Sequence, residues 1–346
     1  MKSAMVSGDR EMNSSIGDIV LRARQLKKSF GNRKTTVEAV RGVDFEIHAG
    51  EVFGFLGPNG AGKTTTLRML ATLVPIDSGE ATVSGFDVRK QPHQVRCRVG
   101  YVSQAGGGDR LATGREDLRL QGRLYGMNLS EANARAAELI EALDLAEFAD
   151  RKVETYSGGQ RRRLDIALGI MHRPDVLYLD EPTTGLDPQN RANLWVQIKK
   201  LSDAGTTIFL TTHYLEEADA LSDRLAIMDH GLLVAEGTSR QLKQEIAADS
   251  VVVSFKEDGP VPEKAIGFFR EQDYVRDVSV EADDHLRLYV DNGVEALPRI
   301  LRLLDEKQIA LRNITLSEPT LDDVFLRYTG RSLRDAGPTE KNGEQL

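Results

Sequence analysis

Three short, almost unbroken apolar runs punctuate the chain: EVFGFLG at 51–57, VLYLDE at 176–181 and TTIFLTTH at 206–213. Runs of this length, apolar on both faces and bounded by polar residues, predict strands buried within a parallel sheet. Between them the spacing turns helical. From Ser130, a residue type that caps helix N-termini, Ala136, Leu139, Ile140 and Leu143 fall on one face. After SGGQ, Leu164, Ala167, Leu168 and Met171 repeat the i, i+3, i+4, i+7 pattern, with Pro174 expected to stop the helix. Buried strands alternating with amphipathic helices predict an α/β core.

Beyond about residue 245 the pattern changes. VVVSF (251–255) predicts a strand and EKAIGFFREQ a helix. YVRDVSVEADDHLRLYVDN predicts two strands around Asp283 and Asp284. A helix from Val294 to about Lys307 and a strand around 309–316 follow. The order β-α-β-β-α-β predicts a small α+β split sandwich. SEPTLDDVFLRYTG (317–330) adds an amphipathic helix, expected to pack Leu321, Val324, Phe325 and Tyr328 on that sandwich. The expected organisation is a flexible segment at 1–17, an α/β domain at 18–245, an accessory domain at 246–329 and a flexible tail at 330–346.

Composition narrows the function. The 346 residues are 40% hydrophobic and 28% charged, which places the chain among folded globular proteins rather than disordered ones. A net charge of −8 gives no general attraction to nucleic acid, and none is expected as a partner. No stretch reaches the roughly 18 apolar residues of a membrane span, and MKSAMVSGDREMNSSIGD has no signal-peptide core, so a cytoplasmic location is expected. Cys97 alone excludes an internal disulfide and a cysteine zinc site, and it reads as a small packing residue.

The chemistry starts at GPNGAGKTT: Gly57, Pro58, Asn59, Gly60, Ala61, Gly62, Lys63, Thr64 and Thr65. This is G-x-x-x-x-G-K-[ST], set between an apolar strand and an amphipathic helix. Its glycines let backbone N–H groups turn inward on phosphate oxygens, and the helix N-terminus adds its positive end. Lys63 can reach the β- and γ-phosphates, and the Thr64 hydroxyl can ligate Mg²⁺. In VLYLDEP the buried strand delivers Asp180 and Glu181 to the end of a sheet where ligands bind. Asp180 is suited to holding Mg²⁺, and Glu181 to polarising the water that attacks the γ-phosphate.

Tyr156, Ser157, Gly158, Gly159 and Gln160, followed by RRRLDIA and preceding the Asp-Glu strand, resemble the signature of ATP-binding cassette proteins. The resemblance runs from about Val20 to Gly237. It implies that Gln104 in YVSQ is the Q-loop glutamine, which also reaches Mg²⁺, and that Asp187 in TTGLDP is the D-loop aspartate. It further implies that His213 is the switch histidine sensing the γ-phosphate, and that Phe30 in KKSFG stacks on adenine. Tyr156 stands where Leu is usual, and Phe30 where Tyr is commoner. Two copies would then form a homodimer, each ATP lying between Lys63 of one and Ser157 to Gly159 of the other.

The stretch SQAGGGDRLATGREDL, the ending at 317–330 and the chain length resemble the ATP-binding subunits of the daunorubicin-resistance type. That resemblance implies export of a drug, antibiotic or lipid through a separate integral membrane permease, at the cytoplasmic face of the membrane. The segment from Gln104 to about Arg123, with Arg110, Arg115 and Glu116, is expected to dock the permease. The alternatives are a soluble ATPase of translation or DNA repair, disfavoured by the single cassette and the absence of sustained heptads, and an importer. A non-hydrolysing binding module is disfavoured by the intact Lys63, Asp180, Glu181 and His213.

Overall fold

The computed structural model describes residues 18–31, 36–245, 249–255, 263–282, 285–317, 319–331 and 333. The segments expected to be flexible, 1–17 and nearly all of 330–346, lie outside the described residues, as do Asp283 and Asp284. The chain divides into two compact units. The first takes in the described residues up to Phe55, then Gly60–Thr212 and His230–Leu232. The second takes in Leu56–Asn59, His213–Asp229 and the described residues from Leu233 onward.

In the first unit, β1 (Ile19–Gly31) and β2 (Thr36–His48) form a long antiparallel ribbon, which the search for unbroken apolar runs passes over because both strands alternate. β3 (Val52–Leu56) leads through the glycine-rich loop to α1 (Lys63–Leu70). β4 (Ser78–Val83) and β5 (Phe86–Asp87) join the ribbon in the order β2-β1-β4-β5. Buried positions on β1 run Leu21, Ala23, then Leu26, Lys28: the parity changes at Gln25, where the ladder shifts register and φ is +47°. A bulge of this kind re-aims every later side chain. Asp44 holds it, accepting from Gln25 N–H at 3.0 Å and from the Gln25 amide. The facing Gly79 has φ +91°, and a Cβ there would meet the Gln25 carbonyl oxygen at 2.1 Å, so no other residue fits.

After α2 (Pro92–Arg96) comes β6 (Val99–Val102), followed by α3 (Gly114–Leu124), α4 (Leu129–Ala142) and α5 (Gly158–Gly169). β7 (Val176–Asp180), α6 (Pro188–Asp203) and β8 (Thr207–Thr212) complete the alternation. The buried strands lie in the order β3-β8-β7-β6, with β6–β7 and β7–β8 parallel. Phe45, Phe53, Phe55 and Phe209 fill the core with ring centroids no more than 5.8 Å apart.

Several local expectations are corrected. The cap of α4 is Asn128, whose side chain and that of Glu131 cap each other reciprocally; Ser130 lies inside the helix. α5 ends at Gly169, before Pro174, and Met171 is buried beyond it. Cys97 is exposed at the end of α2 rather than packed. The second half of the stretch after Gln104 is helical from Gly114, capped by Thr113 with Glu116.

In the second unit, α7 (Leu215–Leu221), β9 (Arg224–Asp229), β10 (Leu232–Gly237) and α8 (Ser239–Glu245) precede the accessory elements β11 (Asp249–Phe255), α9 (Glu263–Arg270), β12 (Val275–Ala282), β13 (His285–Val290), α10 (Gly293–Glu306) and β14 (Leu311–Ser317). This is the expected β-α-β-β-α-β order, in an antiparallel sheet β12-β13-β11-β14. Phe269 of α9 and Ile300 of α10 share its core with Val251, Val253, Leu286 and Leu288. The last helix, α11 (Leu321–Thr329), does not bury its apolar face on that sandwich. Leu321, Val324 and Phe325 pack with Leu56, Ala218, Leu225, Ile227 and Leu242, while Tyr328 is exposed. The polar side of α11 meets the sandwich: Tyr289 donates to Asp323 at 3.1 Å, and Arg287 lies 3.9 Å from the same carboxylate.

Candidate functional site

The first turn of α1 and the C-terminal ends of β7 and β8 bring together the buried polar residues Lys63, Thr66, Asp180, Thr211 and Thr212. Gly57, Pro58 and Asn59 follow β3 in the loop. Gly60 and Gly62, at φ +82° and +107°, adopt the left-handed backbone that turns the chain into α1. Ala61 is buried, its carbonyl accepting from Gly231 N–H at 2.9 Å. Lys63 is 3% exposed, its Nζ 3.8 Å from Glu181 Oε1. Burial pushes its ammonium down to about 8, against the opposing pull of Glu181 and Asp180.

Asp180 is 1% exposed and accepts three hydroxyls: Thr64 at 2.7 Å and Thr211 at 2.9 Å on Oδ1, and Tyr101 at 3.2 Å on Oδ2. Glu181 Oε2 accepts from Gln104 Nε2 at 3.3 Å and from Thr184 Oγ1 at 3.2 Å. Its backbone sits at φ +46°, a conformation that costs a non-glycine residue of order 1–3 kcal/mol and is tolerated where surroundings enforce it.

What enforces it is Arg162, which the motifs did not single out. Its guanidinium donates to the carbonyls of Pro182 at 2.7 Å, Asp180 at 3.1 Å and Ser103 at 2.6 Å. Two of those carbonyls flank Glu181, and the third precedes Gln104. The signal was present in RRR at 161–163: three arginines in a row on a helix cannot all face water. Arg163 instead donates to Asp144 O and covers the Phe148 ring.

The SGGQ segment forms a second cluster. Ser157 caps α5, accepting from Gln160 N–H at 3.2 Å while Gln160 Oε1 accepts from Ser157 N–H at 3.0 Å, so the Gln160 side chain turns back on the cap. Gly158 and Gly159 open the helix bare of side chains, and a Cβ on Gly159 would meet Asn190 Oδ1 at 2.5 Å. Asn190 N–H donates at 3.0 Å to Asp187, the cap of α6, which brings signature and D-loop residues together. Tyr156 in the usual Leu position is structural: it is buried, donates to Phe148 O at 2.6 Å and packs edge-on to the Phe148 ring. Phe30 stands near the end of β1, and His213 directly follows β8, its ring centroid 4.1 Å from that of Tyr214.

A buried ammonium beside a glycine-rich loop at a helix N-terminus is suited to a polyanion. A hydroxyl and a carboxylate oxygen converging to 2.7 Å form the oxygen donor set that a hard divalent cation takes, so Thr64 and Asp180 fit Mg²⁺.

Residues 40–184 match the family described as ABC transporter, and residues 237–329 match the ATP-binding protein DrrA1-3-like, C-terminal domain. The chain is 42% identical over 313 residues to the daunorubicin resistance ATP-binding protein DrrA2 of Streptomyces coeruleorubidus, covering 90% of this chain and 95% of that protein. The chain belongs to this family of ABC ATP-binding proteins. It is an ATP-binding protein with an ABC ATPase fold. Another family relative, the linearmycin resistance ATP-binding protein LnrL of Bacillus subtilis, is 37% identical over 317 residues, covering 91% of this chain and all of that one. Among solved structures, the dimeric ATP-binding cassette MJ0796 bound to ADP and Pi aligns with a TM-score of 0.58 at 25% identity, covering 63% of this chain and 98% of that one. No helix among the described residues is long and apolar enough to cross a membrane.

Proposed function

We propose that the chain is the ATP-hydrolysing subunit of an exporter for an amphipathic drug, antibiotic or lipid, working with a separately encoded integral membrane permease at the cytoplasmic face. Two copies meet head to tail, each ATP lying between the Lys63 loop of one and Ser157, Gly158 and Gly159 of the other. The dimeric cassette among the solved structures supports the pairing, and the daunorubicin- and linearmycin-resistance relatives support export.

Lys63 and the backbone N–H groups of residues 59–65 bind the phosphates, with Phe30 under the adenine. Thr64, Asp180 and Gln104 would hold Mg²⁺, which when bound would supply positive charge against the phosphates. Glu181 orients the attacking water and accepts its proton. His213 hydrogen-bonds the γ-phosphate, and Asp187 carries its state toward the partner copy. The single observation behind these roles is that Glu181 is held by Lys63, Gln104 and Thr184 in a strained backbone, one residue from the carboxylate that receives Thr64.

Permease docking falls on the segment from Gln104 to Arg123 and the residues just after it, on exposed leucines rather than on the charges. Arg115 is committed to Asp150 at 2.6 Å and Glu116 to the cap of α3, whereas Leu111 and Leu124 are 72% and 73% exposed, with Leu120 and Leu129 also bare. The accessory domain, residues 246–329, supports dimerisation or regulation.

Glu181→Gln tests the core of the proposal. The amide keeps the size but accepts no proton, so phosphate release should fall by roughly 10²- to 10⁴-fold while Mg-ATP binding persists. Size-exclusion chromatography with Mg-ATP should then give a dimer. Phosphate release at the wild-type rate would remove Glu181 from the chemistry.

A further inference from the structure

Phe30 is 45% exposed, and behind it lies an arrangement that no nucleotide motif contains. Lys28 has a side chain only 9% exposed. Its Nζ lies 2.7 Å from Asp77 Oδ1 and 5.3 Å from the centroid of the Phe30 ring. Asp77 also accepts from Ser29 N–H at 2.7 Å, and its own N–H donates to Lys27 O at 3.1 Å. One residue thus grips three in succession, those that lead into the ring. The ammonium and the Ser29 N–H together hold the Asp77 carboxyl below the usual carboxylate range.

The bulge at Gln25 creates this arrangement. Before it the odd positions of β1 face inward; after it the even ones do, which puts Lys28 inside and carries Phe30 onto the same row. Without the extra residue Lys28 would point to solvent and Phe30 to the other face.

We propose that Lys28 and Asp77 are positioning residues for base recognition, an inference that rests on the stacking role proposed for Phe30. The ion pair fixes the strand beneath the ring. The ammonium, lying over the ring, draws its electron density and strengthens stacking on an electron-rich purine.

The test compares Mg-ATP with inorganic tripolyphosphate, which carries the phosphates without the base, as ligands of the full chain in calorimetry. Lys28→Met and Asp77→Ala should each weaken ATP about three- to tenfold and leave tripolyphosphate within about twofold. In a Phe30→Ala background neither should weaken ATP further, and Lys28→Arg should recover most of the loss. Equal losses for both ligands, or losses that add to that of Phe30→Ala, would overturn the proposal, because they describe a strand that has merely loosened. Should Lys28→Met fold poorly, Asp77→Ala decides alone, since it alters the more exposed partner. If Phe30→Ala itself leaves ATP affinity unchanged, the stacking role falls and this proposal with it. If Phe30→Ala weakens ATP while Lys28→Met and Asp77→Ala do not, only the ion pair loses its role.

Discussion

Replacing Arg162 should damage the protein more than replacing any residue of the glycine-rich loop. The side chain is buried, and the hydrogen bonds at 2.6, 2.7 and 3.1 Å end on the backbone carbonyls of Ser103, Pro182 and Asp180. Hydrogen bonds from a charged donor contribute about 1.5–3 kcal/mol each, but they are not additive; removal of a buried charged partner typically costs about 3–5 kcal/mol. Arg162→Met, which conserves length and apolar volume, should therefore lower the unfolding temperature by about 6–20 °C at the usual 2–4 °C per kcal/mol for a body of this size. Arg162→Lys keeps the charge without the fork that reaches three acceptors, and should cost about half as much. Because two of the three carbonyls flank Glu181, the Lys variant should also lose turnover, up to about 10²-fold for a displacement near 1 Å, with a smaller change in KM for ATP. Differential scanning fluorimetry and steady-state phosphate release measure both. An Arg162→Lys protein with wild-type kcat, or an Arg162→Met protein melting within about 2 °C of wild type, would refute the idea that Arg162 fixes the backbone around Glu181.

Two further outcomes follow from packing. Tyr156→Phe leaves the Phe148 carbonyl without its donor and should cost about 1–2 kcal/mol in thermal unfolding; no change would mean that the 2.6 Å bond adds nothing. Ending the chain at Thr320 removes Leu321, Val324 and Phe325 from their shared core, a loss of about 5–9 kcal/mol at roughly 1.5–3 kcal/mol per side chain, and the product should bind anilinonaphthalene sulfonate or aggregate. A soluble product of unchanged melting temperature would refute that packing.

The parts of the site readable from sequence are those whose chemistry is local. GPNGAGKTT, the Asp-Glu pair after VLYL and the SGGQ cap carry their geometry in consecutive residues. Tyr101 and Thr211 were not readable, because each acts on Asp180 across strands brought together by folding, and RRR at 161–163 says that one arginine turns inward but not which carbonyls it holds. The Asn128 cap was legible in principle: Asn128 and Glu131 form the reciprocal pair three apart, which outranks a lone Ser130. The bulge at Gln25 left no local mark, since its evidence is the change of parity between Ala23 and Leu26 and a glycine at 79, on another strand. For α11 the apolar face was plain but its destination was not. Periodicity says which residues are buried and never against what.

That destination governs when the protein can mature. The core beside α7 and β9 needs Leu56, Ala218, Leu225 and Leu242 together with Val324 and Phe325, which lie roughly 80 residues after Leu242. At about 5–20 residues per second, a ribosome spends some 4–16 s making that interval. Throughout it the segment after His213 waits with an apolar face uncovered, exposed to chaperones and proteases. α11, made after the other helices and strands of this core, therefore closes it, and a product truncated before Leu321 is marked as unfinished by its own surface.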